Sequence, residues 1–359
     1  MNSFTLNIEK RIHAFIRLGE ILRYKKDESS DKDFSDSIND KIVSLNNAVL
    51  KSHHYNNWFI EENVRFAIQS IAVTLTKENL IHWIKKYSFP VVVKPKKIAV
   101  IMAGNIPLVG FHDFLCVLIS GNYFIGKLSS DDKFLLPAIA ELLIAIEPGF
   151  ANLIEFTESK LEKFDAVVAT GSNNTSRYFE YYFGKYPHII RKNRNAVAIL
   201  DGSETREELS FLADDIFMYY GLGCRSVSKL YVPKDYNFSE LLLVAEKYRL
   251  LSQHHKYFNN YEYNKAIFLI NNITHMDSGF VICREDETIA SPISVLNYEY
   301  YSDLKTLSEK LQNEKEKLQC IVGHPVESLQ PIPFGQAQKP MLWNYADGID
   351  TIEFLNGLK

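Results

Sequence analysis

The chain has 359 residues, which at about 150 residues per domain suggests roughly two domains. Apolar residues make up 46% and charged residues 23%, a balance that excludes a disordered tail protein, a collagen-like chain and a coiled coil. Forty Lys and Arg against 44 Asp and Glu leave a net charge of −4. That is the wrong sign for a generic grip on phosphate backbones, so nucleic-acid binding has no support.

Residues 1 to about 90 read as helices. Ile12, Phe15, Ile16, Leu18 and Leu22 recur at helical spacing, Ser29 to Asp40 is polar enough for a loop, and Trp58 to Thr76 and Glu78 to Tyr87 give two further amphipathic patterns. The first residues carry charges where a signal peptide would have its apolar centre, so the expectation is a cytoplasmic protein. From Ile98 to Gly126 the only formal charge is Asp113, but Gly104, Asn105, Pro107, Gly110, Gly121 and Asn122 interrupt the stretch. It reads as a buried strand, a turn and a buried helix, not as a transmembrane segment.

From Pro90 onward strands and helices alternate. VVVKP and KKIAVIMAG read as strands, HDFLCVLISG as a helix, NYFIGKL as a strand, Phe134 to Ile146 as a helix, and LIEFT and FDAVVATGS as strands. Thr175 to Phe183 is a helix, and NAVAILD (Asn195 to Asp201) is another central strand. Glu204 to Tyr220 reads as a helix opening a second alternation, with SKLYVP, NKAIFLI, SGFVICRE and PISVLNYE as strands. Short apolar strands alternating with helices indicate parallel sheets, so the expected fold is α/β: two doubly wound lobes meeting near residue 200 behind a helical amino-terminal segment.

Three stretches carry chemistry. In DAVVATGSNNTSRYF, a strand enters Thr170-Gly171-Ser172 and a helix follows at once. Glycine lets a ligand approach the backbone, and a helix amino terminus attracts a pyrophosphate, although the full dinucleotide fingerprint is lacking and an ordinary strand-to-helix turn reads the same way. In FMYYGLGCRSVSKLYVP, Cys224 follows Gly221 and Gly223 between a helix and a strand. A thiol there is either an activated nucleophile or a small buried hydrophobe. Cys116, Cys283 and Cys320 sit in apolar helix or strand patterns and read as core. With no CxxC and no Cys/His ligand spacing, the four cysteines read as reduced thiols and no metal site is expected. In IAVIMAGNIPLVGF, Asn105 is either a turn former or a donor at the carboxyl end of a strand.

Taken in order, these segments resemble the aldehyde dehydrogenase superfamily, and within it the LuxC-like acyl-CoA reductases, over about residues 95 to 350. The carrying pattern is strand-GNxP-helix, strand-Lys, strand-TGS-helix, strand, Gly-x-x-Cys, and a final FGQxQ…YADG stretch. The resemblance implies an aldehyde-dehydrogenase-like fold. Its expected parts are a helical segment over 1–95, a dinucleotide-binding lobe over 96–202, a catalytic lobe over 203–345 and a tail over 346–359. It implies that Cys224 is the nucleophile and that the Asn105 amide, with the Cys224 backbone N–H, forms an oxyanion hole. Lys127 matches the lysine that bonds the adenosine ribose, and Thr170, Gly171 and Ser172 match the pyrophosphate turn.

Departures from the family pattern refine the expectation. The general-base glutamate of aldehyde-oxidising members should lie just before NAVAILD, where this chain reads HIIRKNRN. Without that carboxylate, water is poorly activated and a reductase is favoured over an oxidase. His188 lies near that place and reads as a surface or packing histidine. Three residues after Lys127, NAD-preferring members carry glutamate, but Ser130 stands here, which favours NADPH over NADH. The later Glu-x-Phe-Gly-Pro motif is reduced to TIASP, and Glu287 lies one residue out of register, without an assigned role. The chain is shorter than the usual superfamily member, so the hairpin that bridges their subunits is expected to be lacking; a homo-oligomer is compatible with the sequence.

The expected activity is reduction of a long-chain fatty acyl-CoA to the aldehyde with NADPH through an acyl-cysteine. The acyl donor is either the CoA ester or a partner protein that delivers the acyl group. The rivals are a related reductase of a short-chain or phosphorylated acyl donor and a non-catalytic acyl-carrier subunit.

Overall fold

The computed structural model describes residues 6–24, 34–89 and 94–358. The chain divides into two compact units, Met1–Lys192 with Met341–Lys359, and Asn193–Pro340.

Four helices open the first unit: α1 (Ile8–Arg23), α2 (Asp36–Tyr55), α3 (Glu61–Thr74) and α4 (Lys77–Ile84). The Asn7 side chain starts α1 by accepting the Lys10 N–H, and Ala14, Phe15, Leu18, Ile21 and Leu22 form its buried face. The Phe15 ring meets Phe114 and Phe150 edge-on, at centroid distances of 6.4 and 5.8 Å, which seats the helical segment on the α/β part of the same unit. Of the polar run expected as a loop, residues 29–33 lie outside the described set, and the part from Asp36 onward is helical. That end of α2 buries little, so its amphipathic pattern becomes visible only at Leu45, Val49 and Ser52. The residues Val91 to Val93, expected as a strand, also lie outside the described set.

The alternation then runs β1 (Lys97–Ile101), α5 (Phe111–Ile119), β2 (Tyr123–Lys127), α6 (Leu135–Ile146), β3 (Ile154–Thr157), β4 (Ala166–Thr170), α7 (Asn173–Phe183) and β5 (His188–Arg191). The strands form a parallel sheet in the order β3-β2-β1-β4-β5.

The second unit contains β6 (Asn195–Ile199), α8 (Arg206–Phe217), β7 (Val227–Pro233), α9 (Ser239–Ala245), α10 (His255–Ile270), β8 (Met276–Asp277), β9 (Ile282–Glu285), β10 (Val295–Tyr301), α11 (Leu304–Asn313) and β11 (Leu318–Gly323). Its sheet order is β11-β6-β7-β10-β9-β8, parallel except for the β8–β9 pair. The expected division at residue 202 left Asn195–Ile199 in the first lobe, whereas this strand pairs with β7 and β11. An all-apolar run announces burial on both faces but not which sheet the strand joins. NKAIFLI, expected as a strand, lies in α10, where Tyr257, Tyr261, Asn264 and Phe268 are buried at helical spacing. A run of five apolar residues alone does not separate a strand from a buried helix face.

The chain returns to the first unit with α12 (Thr351–Asn356). Arg191, at the end of β5, forks onto both carboxylate oxygens of Asp113 in α5, at 2.5 and 2.9 Å, and bonds Thr351 Oγ1 at 3.0 Å. Both charges are buried, so loss of either would strand the other in an apolar interior. Among the described residues, no helix is long and apolar enough to cross a membrane.

The loop between β1 and α5 is held from below by a second buried acid. Asp132 Oδ2 accepts the Leu108 N–H at 2.9 Å, and Leu108 itself is left-handed at φ 61°. Burial raises this carboxyl from 3.8 to about 6, against two backbone N–H donors that pull it down. Between those values the folded protein keeps a proton that the unfolded chain has lost. The stability this supplies at acid pH therefore disappears as pH rises from about 4 to about 6. Asp132→Asn, uncharged throughout, is expected to flatten that limb of a urea-midpoint profile; a limb as steep as the parent's would contradict the account.

Candidate functional site

In the first unit the functional candidates gather at one sheet edge. Ile101, at the end of β1, lies beside Lys127 of β2 and Ala169 of β4. With this strand order the sheet reverses its direction of growth between β1 and β4, and open α/β sheets hold ligands at the carboxyl side of such a point. Gly104 and Asn105 follow β1, Ser130 follows β2, and Gly171 and Ser172 follow β4.

A Cβ at Gly104 would lie 2.5 Å from Ser129 Oγ, so only glycine lets this loop rest on the one after β2. Asn56 Nδ2 donates to the Gly104 carbonyl at 3.2 Å and holds the loop from the helical segment. Asn105 sits exposed at the bend. Lys127 Nζ donates to the carbonyls of Glu158 and Ser159, at 3.2 and 2.8 Å, so its charge closes the loop after β3. Ser130 is exposed, and nearby Lys133 pairs with Glu158 at 2.8 Å. At Gly171 a Cβ would fall 2.9 Å from the Phe179 ring, so the turn packs directly on its own helix. Ser172 caps α7 by accepting the Thr175 N–H at 3.2 Å. This edge can hold a dinucleotide phosphate: it offers a tight glycine turn, a helix amino terminus and exposed hydroxyls at the switch point.

The second unit places Cys224 at the amino edge of its sheet, just before β7. Helix α8 begins with a capping box, Thr205 and Glu208 exchanging bonds, and ends at Phe217. The chain then passes through three successive left-handed residues, Tyr219 (φ 54°), Tyr220 (φ 60°) and Gly221 (φ 73°). For each tyrosine this conformation costs about 1–3 kcal/mol and persists only where surroundings impose it. Both rings are buried, and Tyr220 lies 4.6 Å from the His254 ring and 6.0 Å from that of Tyr257. A turn follows, closed by the Ser226 N–H on the Gly223 carbonyl at 2.9 Å. Cys224 and Arg225 are its two central residues, and Cys224 is exposed.

The other cysteines differ in setting. Cys116 and Cys283 are buried and Cys320 is half-buried. Burial pushes the thiols of Cys283 and Cys320 up to about 12 and that of Cys116 well above its usual range. These three are inert packing groups by that criterion.

Residues that the sequence reading passed over surround the Cys224 turn. Asp215 of α8 accepts the Gly335 and Ala337 N–H groups at 2.6 and 2.9 Å. Burial raises its carboxyl to about 7 despite those donors. Gln338 Nε2 donates to Ser226 Oγ at 3.2 Å. Asp215 had left a signal, a charge among the buried positions Leu212, Ala213 and Ile216 of one helix face. The Gln338–Ser226 pair left none, because its members lie 112 positions apart.

At the opposite, carboxyl edge of the same sheet, His324 Nδ1 meets Asp201 and Nε2 meets Glu208, both at 3.0 Å. The two carboxylates raise its pKa, as expected of an imidazolium donating from both nitrogens. Asp201, Glu204 and His324 also bring potential ligand atoms within 4.8 Å of one another, but the ring nitrogens are engaged with carboxylates. His188 is exposed at the start of β5, its ring on the Tyr186 carbonyl at 2.8 Å. The Glu287 carbonyl accepts from the buried Lys229 ammonium at 2.7 Å.

Solved structures that resemble this chain include the aldehyde dehydrogenase KauB from Pseudomonas aeruginosa. The identity is 15% and the TM-score 0.59, over 90% of this chain and 73% of that one. Another is an indole-3-acetaldehyde dehydrogenase mutant of P. syringae in complex with NAD+ and IAA, at 13% identity and a TM-score of 0.60 over the same shares. These likenesses establish the aldehyde dehydrogenase fold. A curated relative, the long-chain acyl-protein thioester reductase of Vibrio harveyi, is 22% identical over 270 residues, covering 70% of this chain but 57% of that protein. Residues 20–254 match the model of the acyl-CoA reductase (LuxC) family, and the chain belongs to that family.

Proposed function

We propose that the protein is an acyl reductase that converts a long-chain acyl thioester to the aldehyde through an acyl-Cys224 intermediate. The observation that carries this reading is the contrast among the cysteines. One sits exposed in a strained, glycine-flanked turn, while three are packed away with raised thiol pKa values. Family membership supports the reaction class, and the relative's name, an acyl-protein thioester reductase, supports an acyl group arriving on CoA or on a partner protein.

In this reading the Cys224 thiolate attacks the thioester carbonyl and the leaving thiolate departs, taking up a proton from solvent. The Cys224 backbone N–H donates to the oxyanion, at about 3–4 kcal/mol of transition-state stabilisation per donor in comparable sites. NADPH, when bound, supplies the hydride that reduces the acyl-enzyme. The thiohemiacetal alkoxide then collapses, expelling the Cys224 thiolate and releasing the aldehyde. Gly171, Ser172 and the amino end of α7 suit the pyrophosphate, Thr170 leads into that turn at the end of β4, Lys127 ends β2 on the other side of β1, and Ser130 leaves room for a ribose 2′-phosphate. No carboxylate lies in His188 to Arg194, the stretch just before β6, which disfavours hydrolysis of the acyl-enzyme.

Two outcomes are expected. Cys224→Ala should lower aldehyde formation from tetradecanoyl-CoA and NADPH by at least about 10³-fold with an unchanged thermal midpoint, whereas Cys320→Ala should keep turnover; an active Cys224→Ala protein refutes the assignment. Ser130→Glu should move the kcat/KM ratio towards NADH by about ten-fold or more, because the new carboxylate accepts ribose hydroxyls and repels a 2′-phosphate. An unchanged ratio would remove Ser130 from the coenzyme site.

A further inference from the structure

Cys224 occupies a turn whose closing residue is tied to a distant part of the chain. Ser226 is 2% exposed, its N–H closes the turn on Gly223, and its hydroxyl receives the Gln338 amide. Gln338 is itself 8% exposed and ends a loop, Phe334 to Gln338, with little freedom. Gly335 in that loop is left-handed at φ 78°, and a Cβ there would lie 2.9 Å from the Phe211 Cβ, so the backbone is pressed against α8. Phe334 and Ala337 are buried, and the Asp215 carboxylate grips the Gly335 and Ala337 N–H groups from the same helix. Helix α8 therefore reaches the Cys224 turn by two routes: along the chain through Tyr219 and Tyr220, and across space through Asp215 and Gln338.

We propose that Gln338 is a positioning residue for Cys224: its amide fixes the Ser226 hydroxyl and so the turn that presents the thiol, and Asp215 is the anchor that holds Gln338 there. The inference rests on the reading of Cys224 as the nucleophile. A turn held in one conformation keeps one fixed set of backbone dipoles around the thiol, and N–H dipoles near a sulfur favour its thiolate. A loosened turn averages those dipoles away. The raised pKa of Asp215 fits a carboxylate kept in an apolar setting for the sake of two backbone donors. The buried hydroxyl of Ser226 is then explained by what it receives.

The test is the pH profile of iodoacetamide alkylation at Cys224, followed by peptide mass spectrometry on the full chain. Gln338→Ala and Ser226→Ala are each expected to move the profile upward by about one pH unit, which is about ten-fold slower labelling near neutral pH. The double variant should move no further than the slower single, since both remove the same link. Asp215→Asn, whose amide turns a donor towards one of the two N–H groups, should move it in the same direction. Profiles that stay with the parent's, or shifts that add in the double variant, overturn the proposal; a change in thermal midpoint alone does not support it. Exposure to tetradecanoyl-CoA is run in parallel. A parent protein that labels at Cys224 but takes no acyl group refutes the acyl-transfer reading, while the four alkylation profiles still decide the role of Gln338.

Discussion

Two consecutive tyrosines held in the left-handed conformation are the constraint on which the Cys224 turn depends. Tyr219 and Tyr220 adopt it without glycine's freedom, and burial of both rings helps to offset the cost. The gain is geometric: the helix ends abruptly, the chain doubles back, and the next strand begins within six residues of Gly221, with one thiol left at the surface. A straight continuation of α8 would have carried Cys224 along a helix face. The acid on α8 and the amide at Gln338 are further fixings of the same feature, consistent with strain being concentrated where chemistry is proposed.

The first unit uses a different device for the same purpose. Its loops at the carboxyl edge are pinned by buried charge and close backbone approach. Asp132 holds Leu108, Gly104 rests on Ser129, and the Arg191–Asp113 pair ties β5, α5 and the returning α12 together. Lys127 closes the loop after β3, so its matched position carries a structural bond as well as the coenzyme contact proposed for it. A sheet edge so fixed presents hydroxyls and a helix amino terminus without needing to be ordered by the ligand.

Much of the fold was legible because its determinants are local. The apolar runs of β1, β2, β4, β7 and β10 and the spacing in α1 reflect period and burial, which each segment carries by itself. Where the reading differed, the missing information was tertiary. NKAIFLI has the composition of a strand but sits on α10 with Tyr257 and Tyr261 in the same buried face, and Asn195–Ile199 joins whichever sheet supplies its neighbours. At the candidate sites, Cys224, Asn105 and Gly171 were marked by glycine, proline and strand ends nearby. Asp132, Gln338 and Ser226 were not, because a polar side chain satisfied by a remote partner has no signature in its own neighbourhood.

The central claim is that Cys224 carries the acyl group as a covalent thioester. Intact-protein mass spectrometry after mixing with tetradecanoyl-CoA, repeated after adding NADPH, tests it most directly. The account predicts one acyl adduct on the parent chain, mapped to Cys224, absent from Cys224→Ala, and lost on addition of NADPH as aldehyde appears. An adduct on another cysteine, or aldehyde formed by the Cys224→Ala protein, would contradict it.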